Sequence, residues 1–168
     1  EAAVRAHAFS GGPAGLLYPH GWAARGPALF DQAHRHQTPL ALIVLDLDHF
    51  KRLNDTLGHS TGDQVLQILG QVLRANRRSS DLSARLGGAE FAVLLPQTSL
   101  RAALHVEQRL RLALQEEGIQ EPRLRVGYSA GLAMAGPQDA NLSAFMERAY
   151  TAMHQAKAQG RGRMLQAF

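Results

Sequence analysis

Two acids at the end of an apolar run are the residues whose chemistry is easiest to state. The run LALIVLDLD, residues 40–48, ends on Asp46 and Asp48. Hard cations such as magnesium take oxygen ligands and bind substrate phosphates through one or two carboxylates. We expect the two side chains to leave the strand on opposite faces, so that only one of them need point at a site. Acids that merely cap and solubilise the strand end explain the pattern equally well.

A second polar group follows in HFKRLNDTLGHSTGD, residues 49–63. Asp63 falls in the first turn of a predicted helix, where a carboxylate complements the helix dipole. It can also accept hydrogen bonds from the N–H groups of a purine, with Asn54 as a neighbour. Lys51 precedes both in a turn or short helix. His59 is more simply a structural residue, and we assign it no chemistry.

A third group is basic and lies in AKAQGRGR, residues 156–163. Lys157 and Arg161 are four residues apart at the predicted end of a helix, so both could face a triphosphate. Basic residues at a helix C-terminus are also ordinary partners of the helix dipole. This segment alone therefore does not define a site.

Alternating strand and helix patterns must position these groups. The two glycines of ARLGGAEFAVLLP, residues 84–96, separate two short apolar runs and predict a β-hairpin, because glycine accepts positive φ at little cost. Thr61 and Gln64 have the spacing of a capping box at a helix start. The order of elements predicts an α+β fold in which a mostly antiparallel central sheet is covered by helices. The predicted helices are 21–37, 61–74, 99–117 and 141–159, and the predicted strands are 40–48, 81–86, 90–95, 124–132 and 164–166.

Composition limits the class of protein. The chain has 168 residues, of which 45% are hydrophobic, and no apolar run approaches membrane-spanning length, so we expect one domain without direct membrane insertion. It has no cysteine, which is compatible with the reducing cytoplasm. The formal charge of +4 mildly favours phosphate-bearing partners, but scattered basic residues and 6% aromatic content argue against nucleic acid. We interpret residues 1–14 as a linker from a missing upstream region and 15–168 as the domain.

Four segments together resemble the GGDEF family of diguanylate cyclase domains. They are DLDHFKRLNDTLGHSTGDQVL, RSSDLSARLGGAEFAVLLP, SAGLA and AKAQGRGR, and they occur in the family's order and spacing from Gly15 onward. The resemblance implies a nucleotide-cyclase-like fold of the ferredoxin-like or palm type. It also implies a cytoplasmic homodimer in which each protomer presents one GTP, and two Mg2+ ions help to join them into cyclic dimeric GMP (c-di-GMP).

The resemblance assigns roles to individual residues of this sequence. A metal would be held by acids, phosphates by basic residues, and guanine by an amide and a carboxylate. Carried over by position, the metal ligands are Asp46 and Glu90, the catalytic residues are Glu90 and Lys51, the phosphate contacts are Lys51, Lys157 and Arg161, the guanine readers are Asn54 and Asp63, and Gly87 and Gly88 complete the substrate site.

The signature hairpin departs from the family at one central position. Its third residue is normally an acid that binds metal and supports activation of the attacking 3′-hydroxyl, whereas this chain has Ala89. Alanine can do neither, although Glu90 remains beside it. Further departures are Tyr18 and Pro19 where the family has asparagine and arginine, Tyr150 where it has aspartate, and His154 where it has tyrosine.

A second site is implied five residues before the hairpin glycines. RSSD, from Arg78 to Asp81, has the family's spacing for the RxxD inhibitory site that binds c-di-GMP. An arginine fork suits phosphate or guanine acceptors, and an aspartate can accept from guanine N–H groups. Arg109 on the next helix could add an arginine across a product-bound dimer. The alternative is an exposed loop with a surface ion pair of little energetic value.

The sequence leaves three functions open. The first is a catalytically inactive GGDEF domain that binds GTP or c-di-GMP as a regulatory module and dimerises on ligand binding or through the missing upstream region. The second is a weakly active diguanylate cyclase in which Asp46 and Glu90 still hold enough metal. The third is a scaffold that binds no nucleotide. The residues that count modestly against it are the retained Asn54, Asp63, Lys157 and Arg161.

Overall fold

A computed structural model describes residues 16–168, and the predicted linker 1–14 lies outside them. The chain alternates helices with strands, as the periodicity of the apolar residues predicts. The helices are α1 Pro19–His36, α2 Phe50–Leu57, α3 His59–Ala75, α4 Leu100–Gln120 and α5 Leu142–Ala158, a 3-10 turn covers Pro122–Leu124, and the strands are β1 Leu40–Leu47, β2 Leu82–Gly87, β3 Glu90–Pro96, β4 Tyr128–Met134 and β5 Met164–Gln166.

The five strands form one mixed sheet in the order β2-β3-β1-β4-β5. The pairs β2–β3, β3–β1 and β1–β4 are antiparallel. The short β5 runs parallel to β4 at the edge of the sheet. β1 lies in the centre and is apolar along nearly its whole length because helices cover both of its faces. The predicted α+β fold is confirmed. Among the helices of residues 16–168, none combines the length and apolarity needed to cross a membrane.

Alternate residues of β1 enter two separate cores. Ile43 and Leu45 pack with α3 and α4, whereas Leu42 and Val44 pack with α1 and α5. Helix α5 lies directly against β4, where a Cβ on Gly131 would come within 2.0 Å of the Ala149 carbonyl oxygen. This close approach brings the polar residues of α5 to the end of the sheet where β1 stops.

Two local predictions are wrong. Helix α3 begins at His59 after Gly58, which has φ 92°, and the Thr61 hydroxyl donates to the Leu57 carbonyl instead of capping the helix. Asp63 is therefore outside the first turn, so the dipole does not explain it. In the predicted strand 124–132, the residues before Tyr128 are not part of β4, because Pro122 starts a 3-10 turn there.

Candidate functional site

Two carboxylates face one another where β1 ends and β3 begins. The register pairs Asp46 with Glu90, so both side chains lie on the same face of the sheet. Lys157, in the last turn of α5, forms an ion pair with Asp46. Both partners are partly buried, so the ion pair is screened less than an exposed one. The Lys157 ammonium therefore supplies a positive charge next to the Asp46 carboxylate.

Glu90 is held by a second residue of α5, one that the sequence had identified only as a departure from the family. The Tyr150 phenol lies close to the Glu90 carboxylate. Burial of the phenol, and then the nearby carboxylate of Glu90, raise the pKa of Tyr150 to about 12. Tyr150 is thus a neutral donor at ordinary pH, and it occupies the acid that remains in the signature hairpin.

The Ala89 side chain lies on the face of the sheet opposite to the Glu90 side chain. It is buried with the apolar cluster that includes Leu47 and Phe91, and its carbonyl accepts from the Leu47 N–H. An acid at this position would approach the sheet edge from the face opposite to Glu90. With a methyl group here, Asp46 paired to Lys157 and Glu90 close to the Tyr150 phenol, the residues present do not fit a two-magnesium centre. Among the described residues, no cluster of three metal-ligating side chains occurs.

Asp48 lies on the same side as Asp46. Its carboxylate meets Ser129 on β4 and Gly162 and Arg161 after α5. The expectation that the two aspartates leave β1 on opposite faces is wrong, because side chains two residues apart in a strand share a face. The basic segment and the acids of β1 therefore form one polar group.

The two basic residues of this group do not share a helix. Helix α5 ends at Ala158, and Arg161 lies beyond it with φ 66°. Lys157 contacts Asp46, whereas Arg161 reaches to 3.8 Å from Asp48. Lys157 reaches β1 from the helix, and Arg161 reaches it from the turn after the helix. The predicted four-residue helical spacing therefore does not explain why both lie near β1.

Asn54 on α2 carries an unsatisfied acceptor. Its Oδ1 atom is buried and has no hydrogen-bond partner in the described part of the chain. It packs against Gly62, where a Cβ would come within 1.7 Å of it, so only glycine leaves room for the amide. Asp63 follows Gly62 and is exposed, as is Lys51. A buried amide oxygen without a donor suits a ligand that brings N–H groups.

The hairpin tip itself is intact. Gly87 and Gly88 have φ values of 153° and 51°, and a Cβ on either would meet no atom within 4 Å. Arg85 braces the turn by donating from Nε to the Gly88 carbonyl at 2.9 Å. The glycines thus keep an open surface at the end of the sheet, next to Glu90.

The RxxD tetrad makes more hydrogen bonds than the predicted alternative, an exposed loop with a surface ion pair. Asp81 is buried and accepts from both the backbone N–H and the guanidinium of Arg78. The same guanidinium donates to the Pro96 carbonyl and to Thr98. The Arg78 side chain nonetheless remains 54% exposed. Arg109 is exposed on α4 without a side-chain partner among the described residues.

A cavity of about 280 Å³ adjoins Arg78. It lies between the end of α1 and the start of β2, and its lining is mixed polar and apolar. The polar part of the lining includes Gln32, His36, Ser80 and Gln97. The tetrad therefore borders a concave surface, which sequence patterns had not indicated.

Comparison with known proteins identifies the family. A family model described as "Diguanylate cyclase, GGDEF domain" matches residues 27–163. The chain therefore belongs to the GGDEF domain family, and its fold is that of this family.

Relatives and solved structures agree with this membership. The chain is 45% identical over 134 residues to diguanylate cyclase DgcP of Pseudomonas aeruginosa, covering 78% of this chain and 20% of that protein. It is 35% identical over 127 residues to the response regulator PleD of Caulobacter vibrioides, covering 73% and 28%. The coiled coil and GGDEF domain of DgcB from Caulobacter crescentus, solved with c-di-GMP, superposes with a TM-score of 0.89 at 29% identity, covering 99% of this chain and 89% of that one. The chain spans less than a third of these two curated relatives.

Proposed function

We propose that this chain is a degenerate GGDEF domain that binds guanine nucleotides in c-di-GMP signalling and does not join them. The observation that carries the proposal is that the acidic side chains at the end of the sheet are either engaged by neighbours or missing. Asp46 is paired with Lys157, Glu90 lies close to the Tyr150 phenol, and position 89 is a buried methyl group. Two-metal nucleotidyl transfer needs acids that are available to metal.

GTP is the first ligand of the proposal. Asn54 offers a buried acceptor without a donor, and Asp63 offers an exposed carboxylate one residue after Gly62. Guanine presents N–H donors that complement such acceptors. At the other end of the site, Lys157 and Arg161 supply positive charge for phosphates, with Lys51 as a further cation. Gly87 and Gly88 leave the hairpin surface open to the nucleotide.

c-di-GMP is the second ligand, at Arg78 and Asp81. The exposed part of the Arg78 guanidinium and the adjoining cavity support this assignment. DgcB, a structural neighbour, was solved with c-di-GMP. In a homodimer Arg109 of a second copy would add another cation. The domain would act as the regulatory part of a longer cytoplasmic protein.

A weakly active diguanylate cyclase is the second candidate. It is favoured by the register, which still places Asp46 opposite Glu90. One Mg2+ bound jointly by these carboxylates and nucleotide phosphates would satisfy the ion's preference for few protein ligands. For this to happen, Lys157 and Tyr150 would both have to release their acids.

Replacing Asp63 by alanine should weaken GTP binding about 10- to 100-fold, the effect of losing hydrogen bonds to a charged group. Asp55→Ala is the matched control, because it removes an exposed acid from neighbouring α2 with the same change in charge. That variant should stay within about twofold of the parent, as surface substitutions usually do. Calorimetric titration with GTP measures both, and equal affinities for the two variants would remove Asp63 from the guanine site.

GTP affinity should depend only weakly on magnesium. Chelating the metal is expected to change the dissociation constant by less than about threefold, because Lys157 already supplies the cation beside Asp46. The Ala89→Glu variant is the comparison, since a restored acid should make binding metal-dependent by about tenfold or more. Titrations with and without a chelator decide the point. A large metal dependence in the parent chain would favour the cyclase alternative.

A further inference from the structure

The buried carboxylate of Asp48 has no role in nucleotide binding as described so far. Its side chain is only 9% exposed, although it carries a charge. Its Oδ1 accepts from the Ser129 hydroxyl at 2.6 Å, and its Oδ2 accepts from the Gly162 N–H at 3.0 Å. The Arg161 guanidinium lies 3.8 Å from Oδ1. The carboxylate thus joins the end of β1 to β4 and to the turn after α5.

That turn has an unusual backbone. Gly160, Arg161 and Gly162 have φ values of 114°, 66° and 61°, so three consecutive residues lie at positive φ. Arginine is strained at positive φ, and such a conformation persists only where the surroundings hold it. The Arg161 N–H is held by the Ala156 carbonyl on one side. On the other side, the turn is held by the bond from Gly162 to Asp48.

We propose that Asp48 is a positioning residue that directs the Arg161 guanidinium at the phosphates of the bound nucleotide. The inference rests on the proposed function, in which Arg161 contacts those phosphates. Asp48 fixes the residue that follows Arg161 by a hydrogen bond and attracts the guanidinium from 3.8 Å, which is too long for a hydrogen bond. The donors of the guanidinium are therefore not used up by Asp48 and remain able to bond phosphate.

The Asp48 charge could also act in the opposite direction and weaken GTP binding. A carboxylate near a phosphate site repels the ligand, so removing its charge could strengthen GTP binding. If positioning dominates, loss of Asp48 weakens GTP binding. If repulsion dominates, loss of Asp48 strengthens it.

The test compares GTP with guanosine, which lacks phosphates, on Asp48→Asn. This variant keeps the side-chain size and removes the charge. We expect GTP affinity to fall about tenfold, the scale of one charge-assisted hydrogen bond, while guanosine affinity stays the same. In an Arg161→Ala background, Asp48→Asn should cause no further loss, since the two residues act as one unit.

Ser129→Ala is the matched control, because it removes a partner from the same carboxylate and leaves the bond to Gly162. Its ratio of GTP to guanosine affinity should equal that of the parent. If Asp48→Asn fails to fold, Asp48→Glu keeps the charge but displaces the carboxylate, and it should still lose GTP affinity selectively.

The outcomes separate the inference from the proposed function. If the parent binds neither GTP nor guanosine, the proposed function fails and the inference fails with it. If the parent binds both, equal or tighter GTP binding by the Asp48 variants overturns the inference alone. A parallel loss of GTP and guanosine would also overturn it, because Asp48 would then support only the fold.

Discussion

The chain incubated with GTP and Mg2+ is expected to yield no c-di-GMP above the protein-free background. Changes beside a metal site commonly cost about 10- to 100-fold in affinity or activity, and loss of a direct ligand should cost at least as much. Here Ala89 cannot supply a ligand, and Lys157 and Tyr150 hold the remaining acids. Chromatography of the nucleotides after prolonged incubation measures the product, and steady accumulation of c-di-GMP would establish the cyclase alternative.

Two substitutions should restore part of the activity in steps. Ala89→Glu replaces the missing acid, and we expect it to give detectable product. Adding Tyr150→Asp should give more, because the second change releases Glu90 from the tyrosine hydroxyl. Tyr150→Phe alone is the control: it removes the hydroxyl beside Glu90 and adds no acid, so it should remain inactive. If the double variant were also inactive, Tyr18 or Pro19 would be further lesions.

Arg78→Ala should weaken c-di-GMP binding about 10- to 100-fold, since the guanidinium would supply charged hydrogen bonds to phosphate or guanine. The substitution also removes the side-chain partner of buried Asp81 and leaves its carboxylate the hydrogen bond from the backbone N–H of residue 78. We therefore expect a lower melting temperature, by an amount equivalent to about 1–3 kcal/mol. Titration with c-di-GMP while following mass in solution measures affinity and dimerisation together.

Two variants separate recognition from stability at this position. Arg78→Lys keeps a positive charge beside Asp81 but loses the planar fork, so it should fold well and still bind poorly. Arg74→Ala removes an exposed arginine from the last turn of α3 and should bind c-di-GMP like the parent. Equal binding by the parent and Arg78→Ala would end the effector assignment at the tetrad.

The fold could be predicted from the sequence because its periodicities are strong. The apolar run of β1, the double glycine of the hairpin and the amphipathic pattern of α3 each define an element within a few residues. The exceptions are at element ends. Gly58, with positive φ, precedes α3, so the helix begins at His59, two residues before Thr61, and the turn outweighs the local propensity around Thr61.

The partners of the site residues could not be predicted in the same way. The ion pair of Asp46 with Lys157 joins residues 111 positions apart, and the bond of Asp48 with Ser129 joins residues 81 positions apart. Such pairs depend on how closely α5 approaches β4 and on the turn after it. Tyr150 was visible in the sequence as a departure from the family, but its proximity to Glu90 depends on how α5 packs across the sheet.

The most direct test of the central claim, that the domain holds guanine nucleotide without joining it, is a retention measurement with labelled GTP. The chain is dialysed to equilibrium against labelled GTP and Mg2+, and the nucleotide retained with the protein is then separated by chromatography. We predict that label is retained and is recovered as GTP. Recovery as c-di-GMP would show an active cyclase, and absence of retained label would show a domain that does not bind GTP; either result would contradict the proposed function.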